Sequence, residues 1–106
     1  MADTITFSSG IAAIRKQILP ADAAALSLFE DAERRLWIGT TTGLWQVAAD
    51  GALAAVSLRS GRQPHVYAIA EAADRSLWLG TSSGLMHRDR DGRVERYRVG
   101  QREVLS

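Results

Sequence analysis

The sequence predicts an all-β chain assembled from repeated four-stranded antiparallel modules. Three observations lead there. A block of residues recurs at a fixed spacing of 41, each copy contains short runs of aliphatic and aromatic residues of strand length, and turn sequences separate those runs. The block Leu36-Trp37-Ile38-Gly39-Thr40-Thr41-Thr42-Gly43-Leu44 returns as Leu77-Trp78-Leu79-Gly80-Thr81-Ser82-Ser83-Gly84-Leu85. Of the sixteen pairs aligned from 36/77 to 51/92, eight are identical, where average composition gives about one by chance.

Each element follows in chain order. Leu26-Ser27-Leu28-Phe29 and Val66-Tyr67-Ala68-Ile69-Ala70 are short apolar and small-residue runs that suit a strand buried on both faces. Leu36-Trp37-Ile38 and Leu77-Trp78-Leu79 supply a second strand of bulky residues. Gly43-Leu44-Trp45-Gln46-Val47 and Gly84-Leu85-Met86-His87-Arg88 form a third. A fourth is expected over 53–58 and 93–99, the latter alternating its faces and ending polar, as an exposed edge does. Thr-Thr-Thr-Gly and Thr-Ser-Ser-Gly join strands two and three, with Thr40 and Thr81 placed to satisfy turn amides and Gly43 and Gly84 free to take positive φ. Asp50-Gly51 and Asp91-Gly92 join strands three and four as hairpin turns. A calcium-loop reading of Asp89-Arg90-Asp91-Gly92 fails, because its first ligand position is His87 and the closing bidentate acid is missing.

Four short antiparallel strands in a period of 41 residues match a β-propeller blade. The expectation is a β-propeller fragment: blade one over 24–58, blade two over 66–99, a half-blade over 3–17 and a tail over 100–106. Helical repeats are the competitor. Only the alanine-rich stretch 11–28 tempts that reading, and Pro20 interrupts it. In a blade, Trp37 and Trp78 read as packing between neighbouring sheets, since a sugar-stacking role does not require recurrence in the structural register. Gly39 and Gly80 read as sites of close backbone approach. Trp45, whose counterpart is Met86, reads as a blade-face contact or a ligand contact.

Composition narrows function by exclusion. The chain has 106 residues, a net charge of +1, no cysteine and two histidines. Disulfides, thiolate metal sites and cysteine nucleophiles are excluded. No metal site, cofactor or nucleic-acid partner is expected, and no apolar run is long enough to cross a bilayer, so no membrane contact is expected within this segment. The N-terminus lacks the pattern of a secretory signal, so any export signal is expected on further sequence. Charge is uneven: residues 54–106 carry nine basic and six acidic side chains, and twelve of the thirteen bases are arginine. The run 88–98 interleaves acids with arginines and reads as a solvated, ion-paired hairpin. No nucleophile elbow, P-loop or dinucleotide fingerprint is present, and no enzyme activity is expected.

At 36–44 and 77–85 the chain resembles the two-component regulator propeller repeat, whose pattern is roughly Asp-x-x-Gly-x-Leu-Trp-Ile-Gly-Thr-x-x-Gly-Leu. The resemblance covers residues 24–99. It implies a periplasmic sensor propeller of a bacterial hybrid kinase or diguanylate cyclase receptor, with oligosaccharides among the ligands of some members. A self-assembling interaction module without a small ligand is the alternative, and a lytic propeller enzyme a distant one through the texture shared with streptogramin-lyase-like propellers. Two departures stand out. The family glycine falls at Arg34 and Arg75, where positive φ costs an arginine about 1 kcal/mol, so a turn of different type is expected. The family aspartate is present at Asp31 but replaced by Ala72 in the second copy.

Binding residues are expected on the segment that varies between copies. The connector Arg59-Ser60-Gly61-Arg62-Gln63-Pro64-His65 differs from its plain counterpart Leu19-Pro20-Ala21-Asp22-Ala23. Arg62, Gln63, His65 and Tyr67 can offer donors and a ring to an oligosaccharide or other small polar ligand. The plainer reading is a solvated connector. Two blades expose apolar flanks, so the expected partners are further blades of the same parent chain or of other copies.

Overall fold

A computed structural model describes residues 23–105 except 49, 60 and 99. The half-blade expected over 3–17 lies outside the described residues. Nine strands form two antiparallel meanders. The first sheet orders β1 (Ala25–Glu30), β2 (Leu36–Thr40), β3 (Gly43–Val47) and β4 (Leu53–Val56). The second orders β5 (Val66–Glu71), β6 (Leu77–Thr81), β7 (Gly84–Arg88), β8 (Val94–Arg98) and β9 (Gln101–Val104). No helix appears among the described residues.

The repeat is a repeat of structure as well as of sequence. β2 and β3 pair from Leu36↔Val47 to Thr40↔Gly43, and β6 and β7 pair from Leu77↔Arg88 to Thr81↔Gly84. Both inner strands shift register at one place, past Leu26 in β1 and past Tyr67 in β5. The turns repeat too. Thr40 Oγ1 donates to the Gly43 carbonyl at 2.9 Å and accepts from the Thr42 amide at 3.0 Å. Thr81 makes the same pair of bonds with Gly84 and Ser83, at 2.6 and 3.0 Å. Gly43 and Gly84 sit at φ 102° and 112°, which a side chain would resist.

Sheet register decides what faces what. Phe29, Trp37, Leu44 and Val56 share one face of the first sheet; Ile69, Leu77, Leu79, Met86 and Val94 share one face of the second. These two faces meet in a single hydrophobic cluster with Leu58 and Val66. Trp37 is therefore an inter-sheet residue. Gly39 is the close-approach point: a Cβ there would lie 2.2 Å from Ser27 Oγ and 2.5 Å from the Val66 carbonyl of the neighbouring sheet. The outer face of the first sheet holds a second cluster, Leu36, Ile38 and Val47, with Trp45 and Leu53 against it. Trp45 thus takes part in blade-face packing, although its indole Nε1 is buried without a hydrogen-bond partner among the described residues.

Asp31 locks the seam tryptophan. Its Oδ1 accepts from the amides of Glu33 and Arg35 at 2.9 and 2.8 Å, and its Oδ2 from Arg35 Nε at 2.9 Å and Trp37 Nε1 at 3.0 Å. Burial pushes the Asp31 carboxyl up, but these donors and the Arg35 charge outweigh it and hold the group below the ordinary range. Ala72 provides no such carboxylate in the second sheet. There Asp74 Oδ1 instead takes the Ser76 amide and hydroxyl, tying the turn alone.

Four expectations need correction. The first strand of each sheet is not buried on both faces: Leu26 and Leu28 in β1 and Tyr67 in β5 are exposed, because each strand is the edge of its sheet and only one face is packed. The turn at Arg34 and Arg75 keeps the left-handed geometry of the family glycine, with φ of 68° and 73°, so the arginines bear the backbone strain instead of changing the turn. The segment expected as a tail contains β9, and β8 is consequently an interior strand and not the edge. β9 lacks an apolar face and is exposed along its length; ion pairs from Arg96 to Glu103 and from Arg102 to Glu95 tie it to β8. The hydrogen bond from Arg102, then that from the Tyr97 hydroxyl, holds the Glu95 carboxyl below its usual range. The fourth strand of the first sheet is shorter than expected, ending at Val56, while Leu58 turns inward to the inter-sheet core.

Candidate functional site

Strand direction divides the loops between two rims. On one rim lie the β2–β3 turn, the β6–β7 turn and the connector from β4 to β5. These three segments enclose a cleft of about 530 Å³, lined by Thr41, Thr42, Arg62, Gln63, Pro64, His65, Ser82 and Ser83. The cleft is thus built where one sheet gives way to the next, and both copies of the repeated turn contribute hydroxyls.

Local bonding explains how the connector is held. The Ser82 amide donates to the His65 carbonyl and the His65 amide donates to Ser82 Oγ, at 3.0 and 2.9 Å. An equivalent pair joins Ala24 to Thr41 in the first sheet. Pro64 is buried, and Gln63 lies so close to the β2–β3 turn that a Cβ at Gly43 would meet its Cβ at 2.9 Å. Gln63 Oε1 accepts from the Leu58 amide at 3.3 Å. The carboxamide therefore braces the connector through its oxygen.

The sequence-selected residues Arg62, Gln63 and His65 all line this cleft. Tyr67 stands beside it. It occupies the irregular position of β5, where a bulge re-aims a side chain, and is 54% exposed. Its ring meets His65 edge-on at 6.0 Å, and its hydroxyl lies 3.5 Å from His65 Nδ1. Together they offer one cation, one amide, one imidazole and one aromatic ring, with Arg62, His65 and Tyr67 exposed and Gln63 half-buried, beside hydroxyls on both flanks. Such a set suits multiple hydrogen bonds to a polar, uncharged or weakly anionic ligand. The hydroxyls of Thr41, Thr42, Ser82 and Ser83 had been legible only as turn residues. The signal for their place in the cleft lining is their recurrence on the rim from which the variable connector springs.

Among the described residues, no group of three histidines and carboxylates is positioned to hold a metal ion. No helix of the described residues is long and apolar enough to cross a membrane.

Fold and rim define a class: sheets of β-propeller type, packed face to face, with a polar cleft at the junction. The family model described as "Two component regulator propeller" matches residues 19–42, which include β1, the Asp31 turn and β2. The chain carries a two-component regulator propeller repeat and is a propeller segment. No curated protein and no solved structure matches it.

Proposed function

We propose that this chain is a segment of a ligand-sensing β-propeller in a bacterial signal-transduction receptor, acting in the periplasm, and that it binds without catalysing. The ligand in this reading is an oligosaccharide or other small polar molecule received by the rim cleft. The observation that supports it is the convergence of Arg62, Gln63 and His65 with the hydroxyl turns of both sheets around one cleft. Tyr67 adds an exposed ring of the kind on which a sugar stacks. Titrating a panel of neutral and acidic oligosaccharides while following backbone amide shifts tests the reading. Shifts should concentrate at 41–42, 62–67 and 82–83, and His65→Ala and Tyr67→Ala should each weaken binding about tenfold or more, the loss of roughly 1.4 kcal/mol. Shifts elsewhere, or unaltered affinity in both variants, would reject it.

A second reading, a self-assembling module with no small ligand, draws on a different observation. The outer face of the second sheet carries Trp78, Leu85 and Tyr97, and Leu85 is 45% exposed whereas its counterpart Leu44 is 1% exposed. Leu44 is covered by the second sheet, and Leu85 has the same chemistry without such a cover among the described residues. In either reading the partner on this flank is another blade, from the same parent chain or from a further copy.

A further inference from the structure

The rim opposite the cleft contains a second cavity, about 90 Å³, between the two sheets. The first sheet contributes Arg35 and Trp37, and the second Arg75, Arg88 and Arg90. Four arginines and one tryptophan thus line one small space. Two carboxylates, Asp31 and Asp89, also line the space, so the arginines outnumber the acids there by four to two; Asp31 is held through both oxygens and Asp89 through Oδ1. Asp31 accepts four hydrogen bonds from its own turn and Trp37, and Asp89 Oδ1 accepts the amides of Asp91 and Arg93, each at 3.0 Å.

The arginines differ in how far they are satisfied. Arg35 pairs with Asp31 and Glu33, both at 2.9 Å, and Arg90 reaches across the seam to Glu33 at 3.0 Å. Arg75 and Arg88 have no carboxylate partner among the described residues. Arg88 stands out. It occupies the register position of Val47, an apolar core residue in the first sheet, and it faces the seam with its Cζ 5.6 Å from the Trp37 ring. Arg35 lies 5.9 Å from the same ring, so two like charges share one aromatic surface. Arg88 Nε is buried with no acceptor among the described residues. A buried donor left unpaired is costly, and burial, joined by the Arg35 and Arg59 charges and opposed by the Asp89 carboxylate, weakens the hold of Arg88 on its proton. Arg75, for its part, takes a strained left-handed backbone at φ 73°.

We propose that this arginine-lined cavity between the sheets binds one free tetrahedral oxyanion, phosphate or sulfate. The chemistry follows from the donors. A guanidinium presents paired N–H groups in a plane that match two oxyanion oxygens, and Arg75 and Arg88 approach the space from different elements. The anion supplies an acceptor for Arg88 Nε and separates the like charges on Trp37. Since Arg35 belongs to one sheet and Arg75 and Arg88 to the other, the bound ion also clamps the seam, independently of any ligand in the rim cleft.

Inorganic phosphate and sulfate titrated into the full chain at constant ionic strength, with chloride as the balancing ion, test the site by calorimetry and by ³¹P line broadening. Saturable binding of both oxyanions above the chloride background is expected. Arg75→Gln, at an exposed position that leaves no void in the core, and Arg88→Lys, which keeps the charge but removes the planar fork, should each weaken binding at least tenfold. Arg34→Gln, at the matching position of the other sheet but outside the cavity, should bind as the parent does. Circular dichroism establishes that each variant is folded; should Arg88→Lys unfold, Arg75→Gln decides. Oxyanion heats no larger than those of chloride, or undiminished binding by folded Arg75→Gln, would overturn the assignment.

Discussion

At the scale of single residues, Asp31 carries the most chemistry per atom. A buried carboxylate is tolerable because four donors surround it, and one of them, Trp37 Nε1, belongs to the side chain that fills the inter-sheet seam. The aspartate therefore orients the tryptophan as well as closing its turn. Asp31→Asn preserves the shape but places an amide where an acceptor is needed, and should cost about 2–4 kcal/mol at neutral pH. The pH dependence has a definite sign. Because the folded-state pKa lies below the unfolded value of about 3.9, the contribution is complete above that value and is lost as pH falls through the folded pKa. Urea denaturation from pH 7 down to pH 2 should show the parent and the asparagine variant converging only in the acidic range. A gap of unchanged size across that range would refute the role of the charge.

Individual strands and turns show what sequence patterns reveal and what they conceal. The glycines of the second strand illustrate both. Their recurrence at 39 and 80 was legible, and so was the idea of close approach. The difference between them was not, because it depends on which face is covered. A Cβ at Gly39 would press on Ser27 Oγ and the Val66 carbonyl, whereas one at Gly80 would meet only Ala68 Cβ, at 3.6 Å. Gly39→Ala should therefore destabilise by about 1–3 kcal/mol through overpacking, and Gly80→Ala should be neutral or stabilising by up to about 1 kcal/mol. Thermal melts of the two variants check this, and equal shifts would remove the argument for a seam at Gly39.

Other elements divide along the same line. β2, β3, β6 and β7 were legible because bulky residues, glycine and hydroxyl turns kept one register twice. β9 was concealed because Gln101-Arg102-Glu103-Val104 has no apolar face; it pairs through charges whose partners, Glu95 and Arg96, sit in β8. The connector residues Arg62, Gln63 and His65 were found by contrast with a plain counterpart. The arginine cavity was concealed for the opposite reason. Its members come from unlike positions in two sheets, and Arg88 read in sequence as one more charge in a solvated run.

For the molecule as a whole, the decisive relation is between equivalent faces. Trp37 and Leu44 point into the second sheet and are buried there; Trp78 and Leu85 occupy the same register in that sheet and point away from the first. Among the described residues the Trp78 ring meets the rings of its own sheet, 4.3 Å from His87 and 5.5 Å from Tyr97. An apolar row of this kind is ordinarily hidden by a neighbour in a stack of repeats. The 106-residue chain should accordingly self-associate in solution, with a mass by light scattering above that of one chain and rising with concentration. Leu85→Lys places a charge on the open flank and should shift the distribution toward monomer while lowering stability by less than about 1 kcal/mol, as for an exposed site. Leu44→Ala, at the covered counterpart, should instead cost about 2–5 kcal/mol. The pair separates two causes that a single variant confuses: a flank that needs a neighbour responds in mass, and a flank that already has one responds in stability. A compact, cooperatively melting monomer at every concentration would show that Leu85 and Trp78 need no cover, and the reading of the second sheet as a blade awaiting its neighbour would fall with it.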